Sequence, residues 1–154
     1  NNLKNQIIME TLNFEIIIDA PIQKVWDLLW NQDSYTQWTQ FFGKGSHYES
    51  DWQVNGKTYF LGASGDGMVS TIKSLNEPEE VVFSHLGMIK NGVEDTKSKE
   101  VAEWSGSEES YFMRAISENS TELRVILHTL KDYSDHMKSG FDQGLQLLKE
   151  LAEK

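Results

Sequence analysis

Four histidines, scattered carboxylates and no cysteine make up most of the chemistry-bearing side chains of this 154-residue sequence. His85 stands out among them. In the run "VVFSH" a period-two alternation places it on the face of Val81 and Phe83. An inward histidine there can act as a general base or hydrogen-bond a ligand carbonyl or hydroxyl. The plainer reading is a histidine satisfied within the core or at its rim, since spacing supplies no second catalytic partner. His128 alternates with Arg124 and Ile126, opposite Leu123, Val125 and Leu127, and is expected at the surface. His47 and His136 have no neighbours at metal-ligand spacing, and there is neither His-x-x-x-His nor His-Glu-x-x-His. Neither a metal nor a cofactor is expected.

Other groupings carry less. The pairs Glu79-Glu80 and Glu108-Glu109 sit at strand entrances, where adjacent side chains point to opposite faces, so they are poor candidates for a shared acid/base site. "GASGDG", Gly62 to Gly67, lacks both the Gly-Lys-Ser/Thr of a phosphate loop and the Gly-x-Ser-x-Gly of a nucleophile elbow, and reads as a hairpin turn. No catalytic residue is assigned.

The elements that must position these groups follow from periodicity. "TLNFEIIID" alternates Leu12, Phe14, Ile16 and Ile18 and reads as a strand ended by Pro21. In "PIQKVWDLLW" the residues Ile22, Val25, Trp26, Leu29 and Trp30 form one helical face, with Pro21 at the first position. Asp33 or Ser34 caps a second short helix, Tyr35 to Thr39. Six strand-like runs follow between Ser46 and Leu130, separated by turn chemistry at Asn55-Gly56, Asp66-Gly67, Pro78 and "SENST". The polar connection from Met88 to Glu108, around Trp104, reads as a long loop that could serve as a flap. Parity is open at "TYFLGA", where either Tyr59 or Phe60 faces inward. From about Tyr133 to the end, Met137, Phe141, Leu145, Leu148 and Ala152 define a long amphipathic helix. Within it Gly140 and Gly144 each cost about 1 kcal/mol relative to alanine, offset either by close packing or by room for a ligand.

This order predicts an α+β fold, a curved antiparallel sheet gripping the last helix, as one domain over 10–154 after a loose segment 1–9. A net charge of −10 with only two arginines repels phosphate backbones, so nucleic acid is not an expected partner. No apolar run approaches the roughly 20 residues that span a bilayer. The polar start "NNLKNQ" has no signal-peptide core, and a cytoplasmic location is expected.

The same element order, with "APIQKVWDLLWNQDSYTQW", "VNGKTY", "PEEVVFSHLG", "STELRVILH" and "SGFDQGLQLLKEL", resembles the START-like or SRPBCC helix-grip superfamily. Within it the chain is most similar to the group named after the C-terminal domain of the heat-shock-protein ATPase activator. That resemblance implies a seven-stranded sheet around the long helix, two short helices between strands 1 and 2, and a cavity for an apolar or amphipathic small molecule. Where relatives often carry Gly-Trp this chain has Gly140-Phe141, and where an aromatic often ends the strand it has His85.

The expected cavity residues are Trp38, Phe41, Tyr59, Met68, Phe83, His85, Trp104, Tyr111, Met113, Met137 and Phe141. Trp26 and Trp30 are expected to plug the first helix onto the sheet, and Trp38 to stand at the cavity mouth. The leading functional expectation is small-molecule binding without demonstrated chemistry. One alternative is an enzyme like the polyketide cyclases, using His85 or Tyr111 for proton transfer. The other is a chaperone-interacting module like the ATPase activators. A homodimer is one arrangement open to it.

Overall fold

A computed structural model describes residues 7–154. The part of the loose start that covers 1–6 lies outside them. Strand β1 (Met9–Ile18) opens the fold. Helix α1 (Ile22–Trp30) buries Val25, Trp26, Leu29 and Trp30, the expected face. Pro21 sits one place earlier than expected, at the N-cap, where its carbonyl accepts the first helical bond from Val25 N–H at 3.1 Å. Asn31, in extended conformation, breaks the axis, and α2 (Gln32–Trp38) starts three residues before the expected Tyr35 without a side-chain cap.

The strands β2 (His47–Ser50), β3 (Thr58–Leu61), β4 (Gly67–Asn76), β5 (Glu80–Lys90), β7 (Glu108–Ser117) and β8 (Ser120–Leu130) match the six expected runs. The long connection is not a plain loop. It extends β5, returns as the short β6 (Val93–Asp95), and forms one turn of helix, α3 (Lys99–Ala102), capped by Ser98. The sheet therefore has eight strands rather than seven, in the order β1-β8-β7-β5-β4-β3-β2 with β6 on β5, and every pairing is antiparallel. Short alternating runs could not reveal β6, whose three residues are too few for a period.

Helix α4 (Ser134–Ala152) lies in the concavity. Phe141 stacks on Phe14 of β1 at 4.8 Å, and Leu145, Leu148 and Ala152 complete the buried stripe. Both helical glycines serve close packing. A Cβ on Gly144 would stand 2.4 Å from the backbone carbonyl oxygen of Trp38, and one on Gly140 would stand 2.4 Å from the Phe42 ring. The neighbour is thus the end of α2 and its following turn, not a strand. Gly144→Ala is expected to destabilise by about 1–3 kcal/mol despite the better helix propensity, because backbone cannot yield. Gly140→Ala should cost less, since half-buried Phe42 can swing aside. Urea midpoints check the order, and a Gly140 variant worse than the Gly144 one would refute it.

Candidate functional site

Pairing sets which side chains converge on the concave face. β4 and β5 oppose Ser70 to His85, and β5 and β7 oppose Phe83 to Glu109 and Val81 to Tyr111. A register shift between Val69 and Ser70 helps bring Ser70 onto the histidine. The outcome is a polar row through an otherwise apolar layer, two hydrogen bonds joined by a close His85–Glu109 contact. Ser70 Oγ lies 2.7 Å from His85 Nδ1, His85 Nε2 lies 3.3 Å from Glu109 Oε1, and the Tyr111 hydroxyl donates to Glu109 Oε2. Ser50 and Thr58, hydrogen-bonded at 2.8 Å, extend the polar row toward β2, Thr58 being the register partner of Ser70. Ser70, His85 and Tyr111 are buried, while the Glu109 side chain keeps 15% of its surface. Glu109, between His85 and Tyr111, is the member of the row that meets solvent.

Around this row stands an aromatic wall centred on Trp30. Its ring lies 4.9 Å from Tyr111, 5.4 Å from Phe83, 5.5 Å from Trp52, 5.9 Å from Tyr48 and 6.1 Å from Tyr35. Phe60 packs edge-on against Phe83 at 5.0 Å and against His85 at 5.9 Å. Burial, and then the Glu109 charge, push the Tyr35 and Tyr111 phenols well above the ordinary tyrosine range, so both remain protonated donors at neutral pH. Trp38 Nε1 donates to the Leu29 carbonyl at 3.0 Å. Trp30 Nε1 is buried and, among the described residues, donates to no acceptor.

The expected site residues divide. His85, Phe83, Tyr111, Met113 and Phe141 meet on the inner face with Trp38, and Met137 packs at its edge. Met68 is the register partner of Phe60. Tyr59 is not in this group: Phe60 faces inward, and the Tyr59 hydroxyl donates to Glu94 at 2.7 Å outside. Nor does Trp104 cover it. That indole borders a surface recess of about 360 Å³ with Met9, Thr11 and His128. Trp38 is sealed beneath Gly144 rather than standing at an open mouth, and Phe42 packs on the core where Phe41 was expected. His128 is half-buried, its Nδ1 accepting Glu108 N–H at 3.2 Å. A second recess of about 420 Å³ lies across Glu15, Phe112, Arg114 and Arg124 on the outer face, so neither recess reaches α4.

Glu109, Ser70, Trp30 and Tyr35 are the site residues that sequence reasoning missed. Strand alternation correctly splits Glu108 from Glu109, and Glu108 does point outward to Lys73 at 2.6 Å. Alternation puts Glu109 on the face of Tyr111 and Met113, but that it meets His85 depends on the β5–β7 register, which no local signal carries. Glu109 and Tyr111, two residues apart on one strand, were the available hint.

A family profile described as "Activator of Hsp90 ATPase homolog 1-like protein" matches residues 19–153. No curated protein matches the chain. Among solved structures, the Aha1 dimer from Colwellia psychrerythraea is similar at 19% identity and TM-score 0.66, covering 94% of this chain and 96% of that one. An HSP90 activator from Plasmodium falciparum is similar at 16% identity and TM-score 0.63, covering 92% and 94%. A protein of the dynemicin biosynthetic locus gives 13% identity and TM-score 0.63, covering 91% of this chain and 46% of that chain.

Proposed function

The chain belongs to the activator of Hsp90 ATPase homolog 1-like family, and on that premise we propose that it binds an apolar small molecule between the sheet and α4, oriented by His85, Glu109 and Tyr111. The observation carrying this reading is the chain from Ser70 to Tyr111. A purely structural core gains little from such a row, since buried charge and hydroxyls cost desolvation that apolar side chains of similar volume avoid. A ligand whose polar group meets Glu109 gives the row a use. Entry would pass the half-buried rim of Phe42 and Met137, and would part the Phe42 ring from Phe141, on which it packs at 4.9 Å.

Native mass spectrometry of protein purified from its own host, followed by solvent extraction, tests this. A stoichiometric small molecule is expected, and Met137→Trp should abolish the bound mass while changing stability by less than about 1 kcal/mol. A clean apo mass at native lysate concentrations would count against a tight binder. The same groups are what a cyclase-like enzyme would need for proton transfer, and turnover of a polyketone is the matching assay.

The family membership itself favours a second reading, stimulation of a chaperone ATPase. Its measurement is ATP turnover by an Hsp90-class chaperone with and without the protein. The outer face offers such a partner the ion pairs Lys73–Glu108 and Arg114–Glu122. A dimer, as in the Colwellia neighbour, is tested by sedimentation.

A further inference from the structure

We propose that the inner face selects neutral ligands bearing a hydrogen-bond-accepting oxygen, a ketone or aldehyde on an aromatic body, with the Trp30 indole N–H as donor and Glu109 as the group that turns anions away. This rests on the small-molecule reading above. It begins from an imbalance: Trp30 is 5% exposed, and its Nε1 has no acceptor among the described residues. An orphaned buried donor costs free energy that folding normally avoids. The fold does satisfy another indole close by, since Trp38 Nε1 bonds to the Leu29 carbonyl. The Trp30 backbone carbonyl is likewise satisfied, by the Tyr48 hydroxyl. Among the described residues, the ring N–H of Trp30 is the buried side-chain group left over.

The surroundings narrow what could complete it. Tyr35 stacks on Trp30 with 22° between the rings, and Tyr111 meets it edge-on at 4.9 Å, so the donor is set in a wall suited to a flat aromatic body. The acceptor must carry little charge. Glu109 directs its carboxylate into the same wall, with one oxygen on His85 and the other on Tyr111, and the chain as a whole is at −10. A second anion there would meet like charge with little solvent to screen it. An apolar hydrocarbon would leave the indole N–H unmet. A carbonyl oxygen satisfies both conditions.

Three probes of one skeleton separate the possibilities: 2-acetylnaphthalene, 2-ethylnaphthalene and 2-naphthoate, titrated into the full chain by ligand-observed NMR. The ketone is expected to bind about tenfold tighter than the hydrocarbon, and the anion weakest. In protein labelled with ¹⁵N-tryptophan, the Trp30 indole resonance should move downfield with the ketone and stay in place with the hydrocarbon. Trp30→Phe should abolish the ketone's advantage over the hydrocarbon, read as the ratio of the two affinities in the same variant, while Glu109→Gln should strengthen naphthoate. Equal binding of ketone and hydrocarbon, or an unmoved indole resonance, overturns the selectivity and leaves the small-molecule reading standing. Binding of none of the three overturns both.

Discussion

Trp30→Ala is expected to lower the unfolding free energy by about 3–5 kcal/mol, the range for deleting a large aromatic from a packed core. The residue is 5% exposed, and six aromatic rings, those of Trp26, Tyr35, Tyr48, Trp52, Phe83 and Tyr111, lie within 6.3 Å of its own. They come from α1, α2, the segment after β2, and strands β2, β5 and β7. Alanine would leave a void that these elements cannot close together, because each is also tied to the sheet or to α4. Loss of the unpaired indole N–H offsets a small part of the cost. Urea titration reads the effect as a lower midpoint at unchanged slope. Trp104→Ala is the comparison: half-buried at the surface recess, it should cost under about 1 kcal/mol. Equal losses at the two positions would show that the core is not centred on Trp30.

Alkaline pH is expected to unfold the protein through Tyr35 and Tyr111. Both phenols are pushed well above the ordinary value of 10.0, first by burial and then by the Glu109 carboxylate. In the unfolded chain each loses its proton near pH 10, while in the folded chain each retains it. Between that pH and the folded value these two tyrosines hold two more protons in the native state than in the unfolded chain, and stability must fall as pH rises. The stabilising contribution is complete below about pH 10 and is lost above it at roughly 1.4 kcal/mol per pH unit for each tyrosine, about 2.7 for the pair. Urea midpoints from pH 9 to 12 give the slope. The Tyr35 and Tyr111 share of the phenolate absorbance, isolated by difference from the Tyr35→Phe and Tyr111→Phe variants, should appear with unfolding rather than before it, exposed Tyr133 supplying a separate signal. Tyr35→Phe should remove the share of the slope that Tyr35 carries, leaving those of Tyr111 and of Tyr48, a phenol that burial also pushes up. A phenolate signal in folded protein that disappears with Tyr35→Phe or Tyr111→Phe would show that the substituted ring reaches solvent.

Local pattern carried much of the architecture. Alternation in "TLNFEIIID", the five-residue face of α1 and the stripe from Met137 to Ala152 each reflect a backbone period written into consecutive residues. The inward turn of His85 was legible for the same reason, since its face follows from Val81 and Phe83 on its own strand. The two helical glycines announced a close approach but not its partner. Trp30 was read as a plug for α1, because nothing near it in sequence shows that Phe83 and Tyr111 will close around it.

The residues that make the site belong to the other class. Glu109 meets His85 only once β7 pairs with β5, across a connection that itself folds into β6 and α3. Phe60 faces in and Tyr59 out because β3 takes its parity from Tyr48 and Met68 on either side. Ser70 reaches His85 through a register shift in β4. Periodicity is a property of one segment and can be read from it. Register is a relation between segments, decided when burial of all the inner side chains is satisfied together, and a one-residue slip would invert every face. The helix-grip elements were therefore present in the chain of letters, whereas the row from Ser70 to Tyr111 and the unpaired indole beside it came only with the closing of the sheet around α4.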